Sequence, residues 1–353
     1  MSSSSRSQQP APAPAPAPAS EPATASNANN AFPFLELPLE LVREVMSLLT
    51  PVDITILSTV CRDLRSITRM FSLSTNLTPR ERLDFLARYS WNLPDYFVCA
   101  RCSVLHRVRR RDVPTELMSR CSPSRGPDGI EPAWEQKKPL GNTYFAIEHH
   151  HVELTLKYSR LQLPEYQSYL EALLEPYYGE NPMPYGDFGE AKYSAFPKVV
   201  TDSNGELRYL LLSIWRYLEY DRFTLDDLVE LRNICPHLDS EFYFLTGRTN
   251  ANLMLWTIER ALTLRHEGEE MTGFCPRCPT DYAVCLGSGD LHIYVWQDLG
   301  PQTAASDMVW QAQTQISGLF PGEAGPSRSE SVWHEQGSVK RVYLHPYKDE
   351  PII

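Results

Sequence analysis

Two pairs of cysteines in this chain stand three positions apart, Cys99 with Cys102 and Cys275 with Cys278. The Cys-x2-Cys spacing lets two thiolates of one tight turn reach a single ion at about 2.3 Å. Each pair has further soft ligands within reach along the chain. Cys99, Cys102, His106 and Cys121 would give three thiolates and one imidazole. Cys235, His237, Cys275 and Cys278 would give the same set, half from Cys-Pro-His and half from Cys-Pro-Arg-Cys. Both would be closed four-coordinate zinc sites with no open position, and so structural and not catalytic. Two other readings stand beside this one. Cys99, Cys102, Cys275 and Cys278 could form one all-thiolate site, or the thiols could be buried as small apolar groups. Cys285 lies in an alternating run and is expected to pack.

Other reactive side chains point to less. His149-His150-His151, flanked by Glu148 and Glu153, lacks the H-E-x-x-H order that sets two imidazoles on one helix face, and a surface or packing role is expected. Arg107, Arg109, Arg110 and Arg111 form a basic run beside the first cysteine pair, read as a solvated face, with nuclear import or a phosphate contact as the functional alternatives. There is no phosphate-binding glycine loop, dinucleotide fingerprint or nucleophile elbow, so catalysis is not expected.

The 353 residues carry a net charge of −11 and are 42% apolar, enough for a sizeable core. An acidic chain is a poor general ligand for nucleic acid, which needs a basic surface. No run approaches the roughly 18 to 20 apolar residues of a membrane span, and no secretory leader is read. Cytoplasm or nucleus is the expected compartment. Thiols there stay reduced, and eight cysteines call for metal or burial in place of disulfides.

The elements that must position these residues divide into three regions. Residues 1–31 are Ser-, Ala-, Pro- and Gln-rich and are expected to be a disordered tail. From residue 32 the composition turns apolar. Pro38 can open a helix carrying Leu41, Val45 and Leu48. Thr50-Pro51 opens a second, expected to run through Ile54, Leu57, Val60, Cys61, Leu64 and Ile67. Thr78-Pro79-Arg80-Glu81 reads as a capping box that starts a third. So small a helical piece has a marginal core of its own and needs a partner surface or the following domain. Beyond it the pattern is mixed. Strands are expected at His151–Tyr158, Leu207–Tyr217 and Ser338–Leu344, helices at Leu225–Ile234 and Asn252–His266, and a hairpin at Tyr282–Trp296 turning on Gly287-Ser288-Gly289-Asp290. Residues 318–336 read as a loop. The fold class is α+β, with three N-terminal helices before a mixed region held by zinc.

Leu37-Pro38-Leu39-Glu40-Leu41, then Val45, Leu48-Leu49, Asp53, Leu57, Val60-Cys61-Arg62 and Leu64, resembles the F-box pattern without a gap. It departs only in the aromatic that often follows, for which Ile67 and Phe71 are the nearest fits. The resemblance implies a three-helix F-box over residues 32–75. It also implies a docking surface for a Skp-type adaptor, mapping onto Leu37, Pro38, Leu41, Val45, Leu57, Val60, Cys61 and Leu64. The protein would then be the substrate-recognition subunit of a Skp–cullin–F-box ubiquitin ligase. Residues 76–353 would recruit an unidentified protein target. The order F-box, Thr-Pro-x-Glu-Arg, Leu-Pro-Asp-Tyr-Phe-x-Cys-x-x-Cys and Cys-Pro-x-Cys-Pro-Thr-Asp-Tyr further resembles a group of filamentous-fungal F-box proteins. The competing reading is a zinc-stabilised interaction module acting outside the ligase.

Overall fold

The structure, a computed structural model, describes residues 37–70, 77–100, 102–116, 140–141, 145–179, 183–185, 189–218, 234–235, 237–238, 252–265, 267–314 and 331–345. The expected tail at 1–31, Cys121, most of the expected helix at Leu225–Ile234 and most of the loop at 318–336 lie outside these residues. The chain divides into two units, Met1–Leu48 and Leu49–Ile353.

In the first unit, helix α1 (Leu39–Leu48) starts where Pro38 accepts the N–H groups of Leu41 and Val42. In the second, α2 (Pro51–Val60) opens on a full capping box. Thr50 accepts the Asp53 N–H, and the Asp53 carboxylate returns to Thr50. The Thr50 hydroxyl holds that carboxyl below its ordinary range, and Arg88 pairs with it. Helix α4 (Pro79–Tyr89) has the same box from Thr78 and Glu81, as its sequence suggests. The second helix does not run on to Ile67. Cys61 is extended, with φ −151° and ψ 170°, and a separate helix α3 (Arg62–Met70) follows. The Cys61 sulfur accepts the Leu64 N–H at 3.4 Å and its carbonyl accepts that of Arg65, so Cys61 caps α3 and breaks the stripe.

A hairpin of β1 (Tyr96–Cys99) and β2 (Val104–Arg107) comes next, then a short pair, β3 (Leu140–Gly141) with β4 (Ala146–Ile147). The expected strand at His151–Tyr158 is instead helix α5 (His149–Leu161), in which every residue from His149 to Tyr158 is buried. A helix covered on all sides has no polar face, so its period cannot be read from the sequence. Two of its buried residues are charged. Lys157 Nζ lies 3.0 Å from Glu153 Oε1 and 2.8 Å from the Tyr96 carbonyl, while Glu153 accepts the Val98 N–H. This pair fastens β1 to α5. A short helix α6 (Gln167–Leu173) completes the segment.

The rest is built on a seven-stranded antiparallel sheet, ordered β5-β7-β8-β11-β10-β9, with β6 also on β7. Its strands are β5 (Tyr177–Tyr178), β6 (Met183–Tyr185), β7 (Gly189–Thr201), β8 (Leu207–Leu218), β9 (Glu270–Phe274), β10 (Thr280–Leu286) and β11 (Asp290–Pro301). Strand β8 keeps the alternation read from its sequence, burying Tyr209, Leu211, Trp215 and Tyr217. The hairpin of β10 and β11 turns on Gly289, at φ +105°. One face of the sheet carries the main core under α5, α7 (Asn252–Leu264) and α8 (Met308–Thr314). The other packs Leu210, Ala283 and Trp296 against Val339 of α9 (Ser338–Leu344). That segment is a helix, not the expected strand. Buried Asp281 of β10 accepts the N–H groups of Gly337 and Lys340 and contacts His334 Nε2 at 3.2 Å. A seven-residue segment with Val339, Val342, Tyr343 and Leu344 as its apolar positions fits either element, and this anchor decides it.

Candidate functional site

Helix α1 is apolar on two faces. Val42 and Met46, one turn apart, are buried. Leu41, Val45 and Leu48 form a second stripe at i, i+4 and i+7 and are exposed, as are Leu37, Pro38 and Leu39; Leu48 is 81% exposed. Within the second unit, α2 buries Val52 and Ile54 but leaves Leu57 half-buried, and it ends on Val60 at 65% exposure and exposed Cys61. Leu64 departs from the expected set. At 1% exposure it belongs to the interior and offers no surface. Exposed apolar stripes of this kind usually mark an interaction site.

The expected zinc ligands gather in two separate groups. Cys235, His237, Cys275 and Cys278 place one ligand atom each within 4.8 Å of one another. A tetrahedral ion at about 2.3 Å from each sulfur would set the sulfurs about 3.8 Å apart, so little contraction is needed. The turn from β9 to β10 shapes the knuckle, where the Arg277 N–H points at Cys275 Sγ at 3.4 Å. All three cysteines are buried in the main core, and His237 Nδ1 is buried with no hydrogen-bond partner among the described residues. Hydrogen bonds from Cys235, Cys278 and His237 hold the Cys275 thiol far down, while burial pushes Cys235 and Cys278 up. Three thiols and an imidazole gathered this closely fit a metal ion.

Cys99, Cys102 and His106 form the second group, at the tip and second strand of the β1–β2 hairpin, with Cys102 Sγ 3.1 Å from His106 Nε2. Ser103 takes the left-handed φ of +49° that folds this turn. The expected fourth ligand, Cys121, is outside the described residues. The single all-thiolate arrangement does not occur, since the two cysteine pairs sit in different groups. Cys285 lies on β10 apart from both.

A third cluster joins two of the consecutive histidines to Asp112, a partner that the sequence does not mark. Asp112 lies 3.5 Å from both His150 Nε2 and His151 Nε2. His151 Nδ1 accepts the Glu148 N–H at 3.1 Å, so its Nε2 carries the proton and faces Asp112. A metal-bound histidine donates from its other nitrogen instead. This cluster is therefore a buried start for α5, and the histidines pack in the interior and not at the surface. Arg107, Arg109, Arg110 and Arg111 are exposed, with Arg110 over the Tyr166 ring.

Compared with known proteins, residues 34–76 match the F-box domain family. This segment is an F-box domain. No curated protein and no solved structure matches the chain. The F-box spans α1 to α3, and the exposed apolar residues of α1, α2 and Cys61 all fall inside it. Its recognition marks the N-terminal part of the protein as a protein-interaction element. The cysteine groups lie outside the F-box, in the region that follows it.

Proposed function

We propose that this protein is a substrate-recognition subunit of a Skp–cullin–F-box ubiquitin ligase. The F-box docks onto a Skp-type adaptor through Leu37, Pro38, Leu41, Val45, Leu57, Val60 and Cys61. The adaptor joins it to the cullin scaffold, and the α+β region after the F-box binds the target. The protein performs no bond chemistry itself. It raises the effective concentration of the target beside the transferring enzyme.

The observation that carries this reading is the second apolar stripe of α1, Leu41, Val45 and Leu48, exposed on a helix whose other face is already buried. A lone folded chain gains nothing from that stripe, whereas a partner helix or groove would cover it. Structural zinc completes the proposal. One ion would sit in Cys235, His237, Cys275 and Cys278, and another in Cys99, Cys102 and His106 with Cys121 as fourth ligand. Both would fix the target-binding region. Co-purification with a Skp-type adaptor tests the function, with a Leu37→Ala/Pro38→Ala double variant as control. Equal recovery of adaptor by wild type and variant would count against it.

A further inference from the structure

Around the Cys235, His237, Cys275 and Cys278 group lies a buried chain of hydrogen bonds that joins its two halves. Gln297 of β11 donates from Nε2 to the carbonyl of Ile234, the residue before Cys235, at 2.6 Å. The same nitrogen donates to Gln313 Oε1 of α8 at 3.0 Å. Gln313 Nε2 in turn faces the carbonyl of Pro279, the residue after Cys278, at 3.1 Å and Thr280 Oγ1 at 3.1 Å. Thr280 Oγ1 stands 3.3 Å from Cys278 Sγ. Gln297 is 2% exposed, and Gln313 and Thr280 are fully buried.

The direction of the last bond follows from valence. A metal-bound Cys278 carries no proton, so its contact with Thr280 is a hydrogen bond only when the hydroxyl donates to sulfur. Gln313 Nε2 supplies the Thr280 oxygen with a donor, and the Thr280 proton has two acceptors within reach, Gln313 Oε1 at 3.2 Å, which also accepts from Gln297, and Cys278 Sγ at 3.3 Å. A charged thiolate is the stronger acceptor of the two, so the threonine proton turns to the sulfur once Cys278 is bound to metal. Two uncharged amides buried in an apolar core are costly unless every polar atom is used. Here they are used to fix the residues next to two of the four candidate ligands, Cys235 and Cys278, which lie far apart in sequence.

We infer that Thr280, Gln313 and Gln297 are positioning residues of a metal centre: together they pre-form the Cys235, His237, Cys275 and Cys278 site, and Thr280 donates a hydrogen bond to the metal-bound sulfur of Cys278. The inference rests on the zinc reading of that group. Outer partners of this kind hold ligands in the geometry the ion needs and temper the charge on the thiolate, and losing one typically weakens metal affinity about 10- to 100-fold. On uptake the thiol protons pass to water, and no other bond changes.

The test is titration of the full chain with Co(II) and Zn(II) against a competing chelator. The relevant binding step is the one that Cys275→Ala abolishes. Thr280→Val removes the hydroxyl at nearly constant volume. It is expected to raise the dissociation constant about 10- to 100-fold and to move the sulfur-to-cobalt band to lower energy, with Thr280→Ser restoring both. Wild-type affinity and an unmoved band in Thr280→Val would overturn the inference. If Thr280→Val does not fold, Gln297→Leu carries the test. It cuts the tie to Ile234 and leaves the hydroxyl in place, and unchanged affinity there overturns the inference equally. A wild-type chain that takes up no metal would refute the underlying zinc reading instead.

Discussion

Replacing Cys275 by alanine separates a metal ligand from a packed thiol by nearly an order of magnitude in energy. Cys275 is fully buried in the main core. Were it only packing, losing one sulfur would resemble losing a buried methyl, about 0.5–1.5 kcal/mol. In a unit of this size that lowers the melting temperature by about 2–4 °C per kcal/mol. A closed structural zinc site contributes about 10–16 kcal/mol to folding, as much as the entire stability of a typical domain at about 5–15 kcal/mol. Cys275→Ala is therefore expected to abolish the cooperative melting of the sheet region and to release one metal equivalent. Cys285→Ala, half-buried on the same sheet and remote from both groups, should melt within a few degrees of wild type. Differential scanning calorimetry with metal analysis reads both variants. Equal small shifts in the two, with unchanged metal content, would refute the reasoning.

Purified protein should carry about two zinc equivalents, and Cys102→Ser should carry about one, by mass spectrometry of metals. Lys157→Met should cost about 3–5 kcal/mol in denaturant unfolding, because it leaves Glu153 buried without its cation. Burial already raises the Glu153 carboxyl above its ordinary range, and the variant raises it further. A raised acid is stabilising in its neutral form, so that contribution is present below the unfolded value near 4.5 and is lost as pH climbs through the folded one. The variant should thus recover stability relative to wild type as pH falls toward 5, and a flat difference would contradict this.

The helix starts were legible because capping is local. Thr50 with Asp53 and Thr78 with Glu81 write both partners of a hydrogen bond within four residues. The strand β8 was legible because one of its faces lies on the core. Helix α5 was not, since its uniform burial removes the polar face that would reveal its period, and its Glu153–Lys157 pair looks like an ordinary surface pair at i, i+4. Helix α9 was not, because the acceptor that starts it, Asp281, comes from β10. The cysteine spacing pointed to candidate ligands that the fold brings together, including Cys235 and His237 from far away in the chain. Gln297 and Gln313 carry no such pattern, because nothing in a sequence marks a glutamine that will be buried beside a sulfur. Leu64 was expected at the surface because the F-box resemblance maps the docking set onto it. The break at Cys61 turns it inward.

The docking claim is tested most directly by calorimetric titration of the purified chain with a Skp-type adaptor, followed by hydrogen exchange on the complex. Covering a fully exposed valine side chain is worth about 1.5–3 kcal/mol and Val60 is 65% exposed, so Val60→Asp, which also places a charge in the covered surface, should weaken binding by at least about tenfold. Amides within residues 37–61 should gain protection on binding, and those of the β8–β11 region should not. A wild-type chain that binds no adaptor, or binds it with protection confined to the sheet, would contradict the account.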